Sequence, residues 1–376
     1  NRVVAHTRSR YPIFQSPMTW IARAPLVSAV AAAGGMGLLE NSIADLSVTT
    51  REFAAIRAAT NAPFGVNLPV RYLQANESEE QKIIDWLLGQ NIDFVTTSAG
   101  DPTRYARRLK DAGVIVYHAT ANLRGAIKAV EAGVDGLIVE GAESAGIRNP
   151  DEIHSFALLQ AVREKVDVPI VAAGGIVDGR GMAAAFALGA EGVTMGTRFV
   201  ASVESPVHAN YKQAIVDAPI TGTILVDNPP RARSRGLRTA YATAVAEGKQ
   251  ERLPPRAQLD MLYVKGDVEN TSGAAGESAG LIHEIKPVRQ IIDDTITSFW
   301  REIDRLERCV RTRGGLNVGD GRLRPLVDFE AENIRPRIVA DGIEVDPPAR
   351  DVVGVELRGD DALCIPQWPG EDLAER

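Results

Sequence analysis

The stretch that most constrains the fold of this chain is Val168–Met195, which reads VPIVAAGGIVDGRGMAAAFALGAEGVTM. It contains two short β-branched runs, Val168–Val171 and Gly192–Met195, and each is followed by small residues. Between them, Arg180–Gly189 carries apolar residues at helical spacing. A strand, a glycine-rich turn, a helix and a second strand in this order predict one βαβ unit.

Small residues follow both predicted strands of this unit. Gly174 and Gly175 follow the first strand, and Gly196 and Thr197 follow the second. A glycine pair lets a ligand approach the backbone where any side chain would block it. Bare amides at two adjacent strand ends predict a phosphate cradle, as after the last two strands of a (β/α)8 barrel. The alternative interpretation of the glycine pair is an ordinary tight turn.

Similar units recur from the start of the chain, because further apolar runs alternate with helical segments and bring the predicted strands to eight. An open doubly wound sheet would carry G-x-G-x-x-G after its first strand, whereas here that strand ends in QSPM. The alternation therefore predicts an α/β fold of the (β/α)8 TIM barrel type. The six earlier strands are Tyr11–Gln15, Met36–Leu39, Phe64–Leu68, Phe94–Thr97, Val114–His118 and Gly136–Glu140.

The chain has 376 residues, which is room for such a barrel and an appendage. We expect the barrel over residues 1–218 and a mostly helical extension over residues 219–311 that covers it. Within the extension, Thr239–Glu247 and the amphipathic Ile285–Val310 are predicted helices. Residues 312–376 contain eight arginines, no lysine and fourteen acidic residues, and so carry six of the seven net negative charges. This segment is predicted to be an acidic tail or a small β appendage.

Composition argues against several classes of function. A net charge of −7 argues against nucleic acid as a partner. No run of 18 apolar residues predicts a membrane span, and the first residues lack the apolar core of a signal peptide and an initiator Met. Cys309 and Cys364 form no C-x-x-C pair and provide no metal framework. We therefore expect a cytoplasmic protein, short of a few N-terminal residues, that acts on a small molecule; a homo-oligomer stays open.

In barrels of this kind, ligands bind at the carboxyl ends of the strands. Asn67, near the end of the third strand, has an amide that can both donate to and accept from the edge of a flat ring. Backbone groups of Pro17, Met18 and Thr19, after the first strand, are placed to line one face of such a ring. Together with the glycine cradle, these residues predict a cofactor that combines a phosphate with a hydrogen-bonding ring.

Several ordered motifs resemble the nitronate monooxygenase (2-nitropropane dioxygenase-like) family, whose relatives include FMN-dependent enoyl-acyl-carrier-protein reductases and NADH:quinone reductases. The resemblance covers about residues 10–305 and implies FMN bound non-covalently at the top of the barrel. It implies a phosphate on Gly174, Gly175, Gly196 and Thr197, and a ring and ribityl chain surrounded by Met18, Asn67, Glu140, Ala145 and Gly146. The motifs are YPIFQSPM, GGMGLLE, PFGVNLPV, VEGAESAG, PIVAAGGIVDGRG, GVTMGTRF, YKQAI and AGESAGLI.

One departure from the family pattern concerns the chemistry. Related sequences usually read E-A-G-G-H after the sixth strand, and that histidine removes the proton next to the nitro group. Here the matching run Glu143–Ile147 reads ESAGI, and isoleucine cannot accept a proton. Ile147 thus excludes proton abstraction from a neutral nitroalkane by that residue, but leaves open the oxidation of an ionised nitronate. A smaller departure is Glu277, where relatives often have glutamine.

Two residues are candidate catalytic groups in place of the missing base. His118 ends the fifth strand, where barrels place catalytic groups, and the alternative is a buried structural histidine. Glu143, beside a flavin, would be an acid–base group with a raised pKa, whereas Glu140 is better explained as a ligand of ribityl or backbone groups. Tyr117 alternates with His118 and is expected to face the surrounding helices. His154 lies too far along the next helix.

Three functions follow from these observations. The first is an FMN-dependent oxidoreductase in which a nitronate-like or other small activated substrate is oxidised with oxygen. The second is a reductase of an activated C=C bond or a quinone, with NAD(P)H as the electron donor. The third is a barrel that binds a phosphate-bearing ligand without redox chemistry. The basic run Arg231–Arg238 is interpreted as a solvated face or a subunit contact, with steering of an anionic substrate as the alternative.

Overall fold

The structure, a computed structural model, describes residues 1–41, 46–70, 77–228, 231–311, 338–340 and 343–345. Eight parallel strands form one sheet in the order β1-β9-β8-β6-β5-β4-β3-β2. The predicted (β/α)8 barrel is therefore confirmed. Its strands are β1 (Ile13–Gln15), β2 (Gly37–Leu39), β3 (Phe64–Pro69), β4 (Phe94–Ser98), β5 (Ile115–Thr120), β6 (Gly136–Glu140), β8 (Ile170–Ala173) and β9 (Gly192–Met195).

The barrel closes between β1 and β2 through a short contact. Phe14 and Met36 form an isolated parallel bridge, and the backbone N–H of Gln15 donates to the carbonyl of Met36 at 3.0 Å. The buried side chain of Gln15 extends this junction, because its Oε1 accepts from the N–H of Leu38 at 3.2 Å. A side-chain amide thus supplies the hydrogen bonds that a longer strand pair would make.

The barrel interior is filled by apolar side chains from most of its strands, and helix α1 (Arg2–Thr7) adds Val3 to the same cluster. Tyr117 belongs to this interior. Its ring packs 5.0 Å from that of Phe94, and a Cβ at Gly136 on the next strand would collide with it. The expectation that Tyr117 faces the surrounding helices is wrong. The other strand residues of the cluster are Phe14, Met36, Leu38, Ile138, Val171 and Ala173.

Helices surround the barrel, and none in the described ranges is long and apolar enough to cross a bilayer. Those of the barrel region are α2 (Ala24–Ala32), α3 (Leu46–Ala59), α4 (Glu77–Gly89), α5 (Thr103–Asp111), α6 (Leu123–Glu131), α7 (Ser155–Arg163), α8 (Gly179–Ala187), α9 (Thr197–Val200) and α10 (Ala209–Val216). After them come α11 (Ala240–Ala246), α12 (Pro255–Leu259), a π-helix (Asp260–Val264), a 3-10 helix (Glu277–Leu281) and α13 (Val288–Arg311).

The segment after the barrel contains a hairpin that the sequence analysis did not predict. Strands β10 (Thr223–Asn228) and β11 (Arg231–Leu237) pair antiparallel, and β11 also pairs with β7 (Gly146–Ile147). Farther along, α13 lies so close to the start of α8 that a Cβ at Gly179 would meet its backbone. The hairpin and α13 thus hold the extension against the barrel.

By internal contacts the chain divides into two units, Asn1–Val327 and Asp328–Arg376. In the second unit the structure describes one antiparallel pair, β12 (Ile338–Ala340) with β13 (Ile343–Val345). Apart from this pair, the segment predicted to be an acidic tail or a small β appendage lies outside the described residues. The predicted domain boundaries at 218 and 311 stay predictions.

Candidate active site

Strand alternation decides which side chains point into the mouth of the barrel. Met36 and Leu38 face the interior, so Glu40, directly after β2, continues on that face. A Cβ at Gly65 would touch the interior side chains of Phe94 and Leu38, which places Asn67 on the interior face of β3. By the same alternation Glu140, at the end of β6, and Thr194, on β9, point inward.

Asn67 is buried and its amide is fixed by two neighbours. Its Oδ1 accepts from Thr96 Oγ1 at 3.0 Å, and its Nδ2 donates to Ser98 Oγ at 3.3 Å. An amide can accept and donate twice, so one acceptor and one donor position remain for a ligand. Asn67 is therefore oriented, not merely present, at the carboxyl end of β3.

The backbone at Gly174 and Gly175 is open, as a phosphate cradle requires. Both glycines have positive φ, +103° and +74°, which other residues rarely adopt. A Cβ at Gly175 would have no neighbour nearer than Glu143 Cβ at 3.8 Å, so that side of the turn is free. At Gly174 the nearest groups would be the hydroxyls of Ser144 and Ser155, at 3.0 and 3.1 Å.

Gly196 and Thr197, after β9, bring three loops together. A Cβ at Gly196 would lie 3.6 Å from Met18 Sδ, so the loop after β1 covers this position. The hydroxyl of buried Thr197 accepts from the N–H of Gly276 at 3.0 Å, which leaves its own hydrogen to donate. The carbonyl of Met18 accepts from Ile21 and Ala22 and thereby fixes the turn that holds Pro17 and Thr19.

The loop after β6, residues 141–146, is held by a buried arginine. Arg148 is 4% exposed, and its Nη2 donates to Glu140 Oε1 at 2.8 Å and to the carbonyl of Ala145 at 2.7 Å. Its Nη1 donates to the carbonyl of Gly141 at 3.1 Å. Gly146, at φ +73°, would have no neighbour within 4 Å of a Cβ. Arg148 thus fixes the loop, and the space beside Gly146 in that loop stays open.

The carboxylate of Glu143 is bound to the start of α7. It accepts from the N–H of Ser155 at 3.0 Å and from its Oγ at 2.9 Å, and it lies 3.6 Å from His154 Nδ1. A carboxylate at a helix N-terminus is stabilised by the free N–H groups there. In this position Glu143 stabilises the start of α7. Its predicted acid–base role stays a prediction.

The profile of the family described as "Nitronate monooxygenase" matches residues 2–298 of the chain. The chain belongs to the nitronate monooxygenase family. It is therefore an oxidoreductase of this family.

Three similar proteins place the chain within the family. A carboxyl-CoA dehydrogenase with a hydroxy-methyl-oxo-octahydroindene substrate, from Mycobacterium tuberculosis, is 32% identical over 64% of this chain and 67% of its own. A nitronate monooxygenase from Paraburkholderia phytofirmans is 28% identical over 79% of this chain and 94% of its own. The structure of FabK from Thermotoga maritima superposes with a TM-score of 0.75 at 38% identity, over 82% and 98% of the two chains.

His118 turns away from the mouth of this family barrel. It neighbours Tyr117, whose ring is inside the barrel, so its own side chain points to the helix layer. There its Nδ1 lies 2.8 Å from Thr97 Oγ1, and burial lowers the pKa of His118 to about 4. This orientation argues against the predicted catalytic role of His118. That prediction rested on its position at the strand end and assumed that His118, not Tyr117, faces the interior.

Ile147 occupies the position of the family histidine at the edge of the site. It lies in β7, paired with Ser234 of the hairpin, and it is 44% exposed. The chain's five histidines all lie in the described ranges, and none stands on the interior face of a barrel strand. His6 reaches Tyr117 from α1, His118 faces the helices, His154 and His208 precede α7 and α10, and His283 is exposed.

The second family departure, Glu277, has a structural explanation. Its Oε1 pairs with Arg235 Nη2 at 3.0 Å, and Arg235 is buried beside the loop after β6, where its Nε donates to the carbonyl of Ala142. The basic run is therefore not a free charged face, because Arg233 also pairs with Glu152. Arg148 and Arg235 were not predicted as site residues, although a glutamate at position 277, where relatives often have glutamine, was a signal for a new cationic partner.

Proposed function

We propose that this protein is an FMN-dependent oxidoreductase that oxidises a nitronate-like, already activated substrate with oxygen. Family membership and the geometry of the glycine turns support the cofactor. Gly174, Gly175, Gly196 and Thr197 would hold the phosphate, since the backbone beside Gly175 is open and the Thr197 side chain keeps a hydroxyl hydrogen to donate. When bound, FMN supplies the redox chemistry, and the protein binds, orients and shields the reactants.

An unsatisfied polar atom also fits a polyhydroxy cofactor chain. Thr194 Oγ1 is buried on the interior face of β9 and has no hydrogen-bond partner in the part of the chain that the structure describes. Buried hydroxyls are rarely left unpaired. A ribityl chain between Thr194 and Glu140 would satisfy it, with Met18, Ala145, Gly146 and Asn67 around the chain and the ring. The backbone of Pro17 and Thr19 would line one ring face.

The observation that carries the choice of substrate is that, in the described ranges, the mouth has no interior histidine and that its interior carboxylates, Glu40 and Glu140, are both paired with arginines. Ile147 takes the place of the family histidine, and no histidine within the described residues stands on the interior face of a barrel strand. Proton abstraction from a neutral nitroalkane needs a base within hydrogen-bond reach of that proton. A nitronate arrives without the proton, so its oxidation needs no such group.

Anaerobic titration tests this proposal. We expect a nitronate, without NAD(P)H, to bleach the flavin absorbance, and air to restore it with turnover. The neutral nitroalkane, tested before it ionises, should leave the flavin oxidised. A flavin that stays oxidised with the nitronate contradicts the proposal, and a purified protein that takes up no FMN supports a non-redox phosphate-binding barrel instead.

A second candidate is NAD(P)H-dependent reduction of an activated C=C bond, as in an enoyl thioester, or of a quinone. The 32% identity with a dehydrogenase of a CoA thioester favours it. Hydride transfer also needs no base at position 147. Stopped-flow mixing with NADH and NADPH separates the candidates, because only this one requires rapid bleaching of the flavin by a nicotinamide.

A further inference from the structure

A buried arginine at the mouth of the barrel has one donor without a partner. Arg23 precedes α2 and is 8% exposed, and its Nη2 lies 2.7 Å from Glu40 Oε1. Its Nη1 is buried and has no hydrogen-bond partner within the described ranges. An unmade hydrogen bond on a buried charged group is strongly unfavourable, so such a donor points to a ligand that completes it.

The position of Glu40 places this arginine at the active site. The β2–β3 register pairs Leu39 with Val66, and one further step brings Glu40 opposite Asn67. Both side chains face the interior by alternation. In the strand order of the barrel, β2 stands four places from β6, so Arg23 and Glu40 lie across the mouth from the loop after β6.

Trp20 completes the arrangement. Its backbone has φ +67°, unusual for a tryptophan, and its N–H donates to Glu40 Oε1 at 3.2 Å. The guanidinium of Arg23 lies 5.6 Å from the centre of the Trp20 ring, a cation–π contact. The ring is 41% exposed. Glu40 therefore holds both an oriented cation and an accessible apolar face.

We propose that Arg23 binds the planar oxyanion of the substrate, a nitronate or a carboxylate, through its Nη1. This inference rests on the proposed function and names the group that recognises the substrate. Guanidinium donors match planar two-oxygen anions better than an ammonium does. Glu40 positions the guanidinium through Nη2 and leaves Nη1 for the ligand, while the Trp20 face covers the carbon end of the substrate.

Nitrate, a planar oxyanion that cannot be oxidised here, is the probe. Saturable nitrate binding to the FMN-loaded protein is measured by the flavin difference spectrum. It is measured independently by tryptophan fluorescence, with Trp20→Phe identifying the Trp20 signal. In Arg23→Met we expect nitrate binding to weaken about 10- to 100-fold, because a charge-assisted hydrogen bond is lost. The affinity for FMN should stay within about twofold.

Glu40→Gln gives the sign test. If Arg23 binds the anion, removing the neighbouring negative charge should tighten nitrate about three- to tenfold. Arg51→Met is the matched control, because Arg51 is an exposed arginine paired with Glu52 on nearby α3, and it should leave nitrate binding unchanged. Should Arg23→Met fail to fold, the double variant Arg23→Met/Glu40→Gln removes both charges and should fold without binding nitrate.

Two results would overturn the inference: unchanged nitrate affinity in Arg23→Met or in the double variant, or equal weakening in Arg23→Met and Glu40→Gln. The second pattern is that of a purely structural ion pair. Failure of the proposed function looks different, because the wild-type protein would then take up no FMN or hold a flavin that the nitronate leaves oxidised. Nitrate binding in that protein is still measured by Trp20 fluorescence, and its loss in Arg23→Met still supports the anion site.

Discussion

The two sides of the barrel mouth are built from different materials. The side formed by the ends of β8 and β9 presents backbone, at Gly174, Gly175 and Gly196. The rest of the rim, here called the side-chain side, presents charged side chains in ion pairs, Arg23 with Glu40 at the end of β2 and, across the mouth, Arg148 with Glu140 beside the loop after β6. Backbone binds a phosphate whatever the rest of the ligand is, whereas side chains select among substrates.

This difference teaches where members of one family diverge. The glycine side contains neither of the two departures from the family pattern noted in the sequence. The side-chain side carries the departures, with Ile147 at the histidine position and Glu277 paired with Arg235 next to the same loop. Under the proposed function, the chain has kept the groups that would bind the cofactor and changed groups that would meet the substrate.

The largest effect is expected from restoring the family base. Ile147→His places an imidazole at the half-exposed end of β7, where the side chain is not part of the core. A positioned general base contributes roughly 100- to 10,000-fold, so flavin reduction by a neutral nitroalkane should rise by at least roughly 100-fold. The rate should increase with pH through about 6.5, the ordinary pKa of histidine. Ile147→Gln is the control, and equal rates in the two variants would refute a base position there.

A substitution on the glycine side, at the ends of β8 and β9, should reduce cofactor binding. Gly175→Leu puts a side chain into the open turn, and we expect FMN affinity to fall roughly 100-fold, the equivalent of about one hydrogen bond to a charged group. Gly133→Leu is matched, because Gly133 also has positive φ (+87°) and open space, but lies before β6 at the other end of the barrel. Both variants should lose about 1–2 kcal/mol of stability through backbone strain. Flavin fluorescence quenching and thermal unfolding separate the two effects, and FMN affinity reduced equally in both variants contradicts the cradle.

Substitutions in the Arg235–Glu277 pair, beside the loop after β6, should have a smaller effect, on the stability of the protein. Arg235→Met removes the bond to Glu277 and those to Ala142 and Thr223, and should lower the free energy of unfolding by about 2–3 kcal/mol. Glu277→Gln restores the residue common in relatives and should lower it by about 1 kcal/mol or less, because Glu277 is partly exposed. Urea unfolding measures both. Equal losses would mean that Arg235 acts only through Glu277.

Regular spacing made most of the fold predictable from the sequence. The eight strands and the glycine turns follow from local residue patterns, because periodicity and bare backbone are properties of neighbouring residues. Arg148 and Arg23 were not predicted as site residues, since their partners Glu140 and Glu40 are chosen by the packing of loops. The hairpin β10–β11 was also missed, because RARSRGL lacks the apolar alternation of a strand.

The prediction of which β5 side chains face the barrel interior was wrong, and the reason is informative. Tyr117 and His118 are both buried, so hydrophobicity alone does not say which faces the interior. The orientation fits Gly136 on the neighbouring strand, where any Cβ would collide with the Tyr117 ring. A contact between strands, not a property of β5, turns His118 toward the helices.

His118→Gln tests that orientation and carries the smallest expected effect on activity. Because His118 faces the helix layer, kcat should stay within about twofold. A tenfold loss of kcat would instead support the catalytic role first predicted for His118. Its pKa, lowered by burial to about 4 from an ordinary 6.5, lies below the unfolded value. The unfolded chain therefore binds the proton first as the pH falls. The stabilisation from neutral His118 is complete above about pH 6.5 and is lost toward pH 4, by about 3 kcal/mol in all. Unfolding experiments from pH 7.5 to 4.5 should show this added loss in the wild type and not in His118→Gln.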